Sequence, residues 1–583
     1  MQTPIVDHRC RPTDHWYHPM LNNPKAFFKQ AADVRMLAIT ALVSWGVLQW
    51  NLPNLGNNLI PRNFFVAAML CLACASCWAH VFASRRIRWT PLWGVLLIPP
   101  VVIGLHAAWV PVGSFPHYPL LAGLILGLMA CFSIGLSQMA WSRTQWTLIS
   151  QVLLTGTSVL CLFTLLSPEY LAWNFWWFSL PLPLRAAQGG FQQPNLLASF
   201  LATSITFTLW QHLRHGTAIK AWRAIGLLIL TMLHVFVVFK SGSRVGILGL
   251  TASMLLLGIW IHGYSPQNRR FGWLCLISLV MAALLAAWLG NVVDRLWDVF
   301  KGPSTNFRLS FIQASTHLWW QSPWWGHGLG TFSEKIVPVF VQLIEAGNQL
   351  YYTPNLGHPH NEVLLWAVET GAIGVLGIMG PWIFVIGWFI LQQSWSSLAW
   401  VACLLPISLH QLTEFPFHSS TAHIWLWCMV LASGIHSQPL RQLQWMGATW
   451  IKKGFITCIC AVALGAALAL VDTGWVSHQA WRNRPGLIHW GETHLSPPTE
   501  REFDHPIFKT FATDQFNIMS LPRRIPANEN TPIHGLCDDI WDMGKRWQNP
   551  TQWALEKNCL LNNGDEAAAA LLQRKVKALT ISP

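Results

Sequence analysis

The sequence predicts an all-α, polytopic integral membrane protein with about 13 transmembrane helices (12 to 14). Hydrophobic residues make up 53% of the 583 residues and charged residues only 10%, against roughly 25% charged residues in an ordinary soluble domain. Apolar runs of about 20 residues, the length that spans a bilayer, recur along the chain. A soluble protein of this size could not cover its surface with so few charges. This composition argues against a cytosolic enzyme, a nucleic-acid-binding module and a disordered chain.

The predicted spans run from residue 36 to residue 472. No cleavable signal peptide is evident, because the first apolar run follows a basic tail of 35 residues and lacks a small-residue cleavage site. This run is therefore interpreted as an uncleaved first span. The predicted spans are 36–51, 64–83, 92–110, 119–141, 147–167, 195–213, 224–240, 245–262, 271–290, 372–392, 398–414, 421–437 and 453–472.

The distribution of Lys and Arg predicts the orientation. Cytoplasmic loops are rich in these residues, and alternate loops carry most of them, which also explains most of the formal charge of +13. We therefore predict a cytoplasmic N-terminal tail (1–35), a transmembrane domain (36–472) with a large periplasmic loop (291–361), and a helical periplasmic domain (473–583). The short outer loops then contain only Arg62, Arg185, Lys240 and Arg244.

Most of the 13 cysteines lie inside apolar runs, where they are interpreted as small buried side chains. Cys71, Cys74 and Cys77 resemble a metal motif, but their spacing is helical and they lie mid-membrane, so we do not expect them to bind metal. Cys537 and Cys559 lie in a polar segment and could form a disulfide in an oxidising compartment.

Basic residues on the outer side are candidates for an anion site. Lys240-Ser-Gly-Ser-Arg244 forms a tight turn between two spans, and backbone N–H groups at a helix start favour a phosphate. The alternative is that both cations only reach from helix ends to the interface. Arg308 follows the start of a helical stretch inside the large loop and alone would indicate an exposed residue.

The densest polar cluster is His358-Pro359-His360-Asn361-Glu362. A metal site would need a third or fourth ligand at helical spacing, and this cluster does not provide one. A general base needs only one imidazole whose pKa lies near ambient pH. A histidine that caps a helix or lies at the interface is the remaining interpretation.

Two glycine-containing segments are interpreted on local grounds. Gly326-His-Gly-Leu-Gly330 lacks the ending of a phosphate loop and is interpreted as a flexible turn. Gly189-Gly-Phe-Gln-Gln193-Pro-Asn195 precedes a span, and Gln193 and Asn195 offer neutral hydrogen bonds suited to a sugar or a peptide amide.

At His360 the chain resembles the bacterial O-antigen ligase and polymerase superfamily, whose ligases carry the pattern H-[NSQ]-x9-G-x-x-[GTY] in a large periplasmic loop. His360-Asn361, Gly371 and Gly374 fit this pattern. Arg244 with Leu248 matches the R-x3-L element of these ligases. The Gln193-Pro194-Asn195 element, the His-Pro-His-Asn-Glu form and the C-terminal tail look more like the protein O-oligosaccharyltransferases of the PglL type, which glycosylate pilins. The resemblance covers roughly residues 30–470.

The resemblance implies en bloc transfer of a preassembled oligosaccharide from undecaprenyl diphosphate to Ser or Thr of a periplasmic, pilin-like protein in a Gram-negative inner membrane. His360 would be the base in an inverting reaction, with His358 as its rival. Arg244, Arg308 and Lys240 would bind the diphosphate, while Gln193, Asn195, Asn361, Glu362 and His358 would position substrate. No cofactor, metal or nucleic acid is expected. The alternatives are an O-antigen ligase that uses lipid A core as acceptor, an O-antigen polymerase and, more distantly, a polyprenyl-glycan transporter.

Overall fold

A computed structural model gives the architecture. It describes residues 36–41, 43, 59–84, 86–113, 118–139, 141–166, 191, 193–214, 219–289, 303–352, 358–391, 395–436, 441–444, 449–483, 537, 540, 550–562 and 564–581.

Helices dominate the described residues. After a helical stretch at 36–41, the elements up to the large loop are α1 (Leu59–Ser84), β1 (Arg86–Trp89), α2 (Leu92–Leu96), α3 (Ile98–Trp109), α4 (Tyr118–Gln138), α5 (Arg143–Leu166), α6 (Pro194–Leu213), α7 (Ala221–Lys240), α8 (Arg244–Tyr264), a 3-10 turn (Pro266–Asn268) and α9 (Arg269–Leu289). The rest are α10 (Pro303–Gln321), α11 (Phe332–Glu345), α12 (Glu362–Leu391), α13 (Trp395–Gln411), α14 (Pro416–Ser419), α15 (Thr421–His436), β2 (Arg441–Gln444), α16 (Thr449–Asn483), α17 (Pro550–Asn562) and α18 (Glu566–Ile581).

The predicted fold class is confirmed: the protein is an all-α multi-pass membrane protein with only two short strands among the described residues. Within those residues, nine helical segments are long and apolar enough to cross a membrane. Residues 397–411 and 421–435 form shorter apolar helices. Helix α6 is 20 residues long and buried along almost all of its length, so it lies at the centre of the helix bundle.

Several predicted spans differ from the observed helices. The span 36–51 lies largely outside the described residues. The span 92–110 consists of α2 and α3, because the helix is interrupted at Leu97. The span 398–414 ends at Gln411, which leaves Glu414 in a connection rather than in a helix.

Loops predicted to share the cytoplasmic side do meet at one end of the bundle. Strands β1 and β2 pair antiparallel, with Arg86 opposite Gln444. The Arg88 backbone exchanges hydrogen bonds with Gln138 at the end of α4. On the same side, Arg143 donates to the Arg214 carbonyl. The alternation of the spans is therefore supported, while the assignment of this end to the cytoplasm stays a prediction.

The opposite end gathers the loops that contain the predicted site residues. Asn63 at the start of α1 donates to the Ser419 carbonyl, and the Gly113 N–H donates to the Leu329 carbonyl. Asn361 donates to the Leu412 carbonyl over 2.9 Å. This end, formed by residues 110–113, 241–243, 322–331, 358–361 and 412–420, is called the site face below.

Helix α12 is broken at Gly371, and the loop 322–330 satisfies the backbone groups that the break exposes. Gly371 has φ 67° and ψ −174°. His327 and Gly328 donate their N–H groups to the carbonyls of residues 368 and 369, each over 2.9 Å. Ala372 donates to the Pro323 carbonyl over 2.8 Å. Unpaired backbone groups are costly at the edge of a bilayer, so this loop stabilises the break.

The sequence predicts a turn at 326–330, and a turn is present there, packed against the break in α12. Gly326, Gly328 and Gly330 all have positive φ, and a Cβ at Gly326 would lie 2.5 Å from the backbone of Glu369. The glycines allow two backbones to pack in direct contact, and this contact holds the turn in place.

Replacement of Gly371 by alanine is expected to destabilise the protein by about 3 kcal/mol, because this backbone conformation is essentially restricted to glycine. A Cβ there would also lie 2.2 Å from the Trp324 carbonyl oxygen. The measurement is thermal unfolding in detergent. Gly380→Ala, in the same helix with nothing within 4 Å of the new Cβ, is the control and is expected to keep wild-type stability. Equal melting temperatures for the two variants would contradict this account of the break.

A second hydrophobic core lies next to the site face. Phe311 and Leu318 of α10 pack with Phe332 and Phe340 of α11, and Trp553 of α17 joins them. Tyr352 lies 6.3 Å from Trp553 between ring centroids. The C-terminal helices thus pack on the helices of the large loop. Cys537 and Cys559, the pair considered in the sequence analysis, form a disulfide with 5.7 Å between the Cα atoms.

Candidate active site

His360 lies at the site face in an unusual backbone conformation. Its φ of 52° makes it the one non-glycine residue with positive φ among the described residues. Histidine and asparagine tolerate this region better than most residues. The next residue, Asn361, caps α12, since its Oδ1 accepts from the Leu364 N–H over 2.9 Å. The cap and the bond from Asn361 to Leu412 fix the backbone on which His360 is held.

The side chain of Glu414 is the centre of the polar cluster. It is 3% exposed and accepts from the guanidinium of Arg308 over 2.9 Å. The side-chain amides of Gln193 and Asn195 donate one hydrogen bond each to its two oxygens. His410, one helical turn earlier, donates from Nε2 over 3.1 Å. A carboxylate needs such partners when it is buried, so the four donors explain how the charge is held at the end of α13.

The net effect of these donors is a Glu414 carboxylate that stays ionised. Burial alone would raise its pKa, but the hydrogen bond and charge of His410, the charge of Arg308 and the hydrogen bond of Asn195 outweigh it and leave the pKa below the ordinary 4.5. Glu414 is therefore a fixed anion at neutral pH.

A series of buried, hydrogen-bonded polar side chains holds the His410 imidazole that contacts Glu414. His410 Nδ1 lies 2.8 Å from Ser199 Oγ, and Ser199 Oγ lies 3.1 Å from His423 Nε2. All three residues are fully buried. Such a connected network fixes the orientation of its members, and here it orients the imidazole that holds Glu414.

The imidazole of His360 is half-buried beside this cluster. Its ring makes an edge contact with Phe307, 5.8 Å between centroids, one residue from Arg308. Burial lowers its pKa; Glu414 raises it in part and Arg308 lowers it further, so the pKa lies below the ordinary 6.5. Its Nδ1 is buried and has no hydrogen-bond partner among the described residues. At neutral pH this imidazole is neutral and able to accept a proton.

His358 has a different environment from His360. Its ring packs on Phe415 with 3.5 Å between centroids, and its Nδ1 accepts from the backbone N–H of His360. Burial, and then the neighbouring His360 and His418, lower its pKa to about 2. His358 is therefore neutral, with one nitrogen already occupied, and it supports the backbone of His360.

The turn between α7 and α8 lies at the same face. Ser243 caps α8 by accepting from the Gly246 N–H over 3.1 Å. A Cβ on Gly246 would lie 2.3 Å from the Cβ of Ala198, so the first turn of α8 packs directly on the first turns of α6, which carries Asn195. Arg244 and Lys240 are half-buried. The turn that carries both cations therefore lies beside the start of α6.

A second polar cluster borders the first. Glu362 is 2% exposed and pairs with His418 Nδ1 at 2.8 Å, while Tyr118 lies 3.2 Å from His418 Nε2. The pair raises the pKa of His418 above its ordinary value even though burial lowers it. These three side chains lie at one end of a cavity of about 460 Å³, otherwise lined mainly by apolar residues of α4, α12 and α13. Glu362 faces His418 and the cavity.

Sequence reasoning found part of this site. The structure brings Gln193, Asn195 and Arg308 together on one carboxylate and places His360 beside them. Glu414, His410 and His418 were missed. The signal for Glu414 was an acid at the end of a predicted span, where ionisable residues mark functional sites. No cluster of three or more potential metal ligands occurs within the described residues.

The comparisons with known proteins concern the central part of the chain. Residues 197–379 match the family profile described as "O-Antigen ligase". This segment contains Arg244, Arg308 and His360 and ends before Glu414. The "Teichuronic acid biosynthesis protein TuaE" of Bacillus subtilis (strain 168) is 24% identical over 211 residues, which cover 34% of this chain. The match spans 39% of that protein's own length. The two matches support the O-antigen ligase superfamily.

Proposed function

We propose that the protein transfers a preassembled oligosaccharide from undecaprenyl diphosphate to a serine or threonine hydroxyl of a periplasmic protein such as a pilin. The observation that carries the proposal is the neutral imidazole of His360, held at the membrane boundary beside the Arg308–Glu414 pair and inside the segment that matches the ligase family. A base and a phosphate-binding cation next to each other are what attack on a lipid diphosphate sugar requires.

In the proposed reaction, His360 takes the proton of the acceptor hydroxyl. The oxygen forms a bond to the anomeric carbon while the bond from that carbon to the diphosphate oxygen breaks, which inverts the anomeric centre. The diphosphate leaves with the bonding electrons. Because the diphosphate is already a good leaving group, the protein supplies charge stabilisation and position rather than a cofactor.

Arg308 is the principal candidate for binding the diphosphate. It uses one nitrogen for Glu414, and its side chain is 35% exposed, so other N–H donors of its guanidinium are available for a ligand. Arg244 and Lys240 add positive charge from the turn between α7 and α8. Gln193 and Asn195 donate their amide N–H groups to Glu414 and offer their carbonyl oxygens to sugar hydroxyls.

The acceptor distinguishes this proposal from its alternatives. The C-terminal helices α17 and α18 pack on α11 beside the site, and this added surface supports a protein acceptor. The family description equally supports two alternatives, an O-antigen ligase that uses lipid A core and an O-antigen polymerase. Protein glycosylation and these two reactions share the donor and the chemistry, and they differ in the acceptor. A transporter would use the same lipid but form no new glycosidic bond.

The test is glycan transfer in a bacterial host without its own ligase, supplied with a lipid-linked glycan and a periplasmic pilin. We expect a glycan mass increment on the pilin with the wild-type protein and none with a His360 variant. Sugar on lipid A core would instead identify a ligase, and longer lipid-linked glycans would identify a polymerase. Loss of lipid-linked glycan from one leaflet with no new covalent product would identify a transporter.

A further inference from the structure

One face of α10 carries an exposed apolar stripe. Leu309, Ile312 and Trp320 lie at helical spacing on this face, and Leu309 and Trp320 are 58% and 65% exposed. The stripe continues into the following turn with exposed Trp324 and Trp325. The opposite face, with Phe311, Ala314 and Leu318, is buried in the second core. Helix α10 thus exposes three apolar side chains on a face that also carries Gln313, which donates to Asn348 over 3.2 Å, while its other face is buried.

Both ends of α10 are attached at the level where membrane helices end. Near its start, Arg308 pairs with Glu414, three residues after the last residue of α13. Past its end, the Trp325 carbonyl accepts from His106 in the last turn of α3, over 2.8 Å. The Pro323 carbonyl accepts from Ala372, where the second arm of α12 begins. With about 18 Å of helix between residues 308 and 320, the axis of α10 runs along the membrane boundary.

The stripe is continuous with the lipid-facing surface of the spans. Trp109 at the end of α3 is 75% exposed and Leu376 of α12 is 71% exposed. The backbone of Trp324 accepts from Ile373, so the aromatic turn adjoins these residues. Tryptophan favours the membrane interface, and exposed apolar side chains on a helix that lies in the interface plane are buried in the headgroup and acyl boundary.

We propose that α10 is an interfacial helix whose stripe of Leu309, Ile312 and Trp320 lies in the headgroup and acyl boundary of the bilayer. Lipid is the occupant because the stripe extends the surface that the spans already expose to lipid. A consequence, which rests on the proposed function, is that the bilayer sets the depth of Arg308. The cation then lies in the plane where the diphosphate of a lipid donor emerges.

The contact with lipid is tested on the full-length protein in phosphatidylcholine nanodiscs, with brominated or unbrominated acyl chains. A fluorescent amino acid is incorporated at Ile312, at Trp320 or, as the control, at Lys335, which is exposed on α11. We expect quenching of at least about twofold by brominated lipid at the two stripe positions and none at the control. No quenching at positions 312 and 320 would overturn the proposal, and a blue-shifted emission without quenching would show that protein covers the stripe.

The consequence for the donor is tested with Trp320→Asp and the matched control Lys335→Asp. We expect the KM for a long-chain polyprenyl donor in nanodiscs to rise about threefold or more in Trp320→Asp, since a buried charge at the interface weakens membrane contact. The kcat and the KM for a water-soluble short-prenyl donor should stay unchanged. An unchanged KM for the long-chain donor would overturn the link to Arg308. If the wild type transfers no glycan with either donor, the proposed function fails, while the quenching experiment still decides whether α10 contacts lipid.

Discussion

Replacement of His360 by asparagine is expected to lower the rate of glycan transfer by about a hundredfold to ten-thousandfold, the usual contribution of a general base. Asparagine is preferred to alanine because residue 360 has φ 52°, and asparagine adopts this conformation readily. The substitution therefore removes the base and keeps the backbone that leads into α12. The measurement is single-turnover transfer in proteoliposomes, with thermal unfolding as a check of the fold.

The pH dependence separates a base from a residue that only orients substrate. Burial, and then Arg308, hold the pKa of His360 below its ordinary 6.5 despite Glu414. The wild-type rate should therefore be level near neutral pH and fall as the pH drops through that lowered value, because the protonated imidazole cannot accept a proton. In His360→Asn this fall in rate at low pH, the acid limb of the profile, should disappear. An asparagine variant with the wild-type rate, or one that keeps the same limb, would exclude His360 as the base.

The spans and their alternation were predictable because length and composition determine them. A stretch of about 20 apolar residues has few alternatives to a membrane helix. The turn between Lys240 and Arg244 was also predictable, since a short glycine- and serine-containing segment between two spans can only form a tight turn. Its position beside Ala198 was not, because that contact depends on how two helices pack.

The polar cluster could be predicted only in part, because its parts are distant in sequence. Gln193 and Asn195 lie at the start of α6, Arg308 lies in α10, and Glu414 follows α13. The sequence explains each of these residues from its local surroundings. Only the packed structure shows that the other three side chains all bind the carboxylate of Glu414. Glu414 was assigned to a span because hydropathy smooths over a single charge at a helix end.

The sequence pattern around His360 could be matched without an understanding of its physical basis. The structure assigns a local role to each position: His360 adopts a left-handed backbone, Asn361 caps a helix, and Gly371 breaks it. A Cβ on Gly374 would lie 2.0 Å from the hydroxyl of Thr370, so a larger residue there would require Thr370 to move. Most of the pattern therefore positions the backbone, and His360 is the one position whose side chain we propose takes part in the reaction.

Replacement of Glu414 by glutamine is expected to lower transfer about a hundredfold, comparable to the loss of one preorganised donor at a developing charge. Glutamine keeps the shape but removes the charge that holds Arg308, and its NH2 group would oppose other donors in a buried site. Glu334→Gln is the matched control, because the Glu334–Lys335 pair is longer, 3.6 Å, and its two side chains are 32% and 45% exposed, and surface pairs contribute little.

If Glu414 acts by holding Arg308, then Arg308→Lys, Glu414→Gln and the double variant should lose a similar factor, since residues in one network are not additive. Fully additive losses would show that Glu414 acts on the reaction independently of Arg308.

The stability of the folded protein gives a second test of the role of Glu414. The folded-state pKa of Glu414 lies below the ordinary 4.5, so its contribution is present above that pH and is lost as the pH falls through the lowered value. Glu414→Gln should therefore lower the melting temperature at pH 7 and reduce its further decline in acid. A variant that melts like the wild type at pH 7 would mean that the four donors do not depend on the charge. The position of Arg308 would then have to come from the packing of α10 alone.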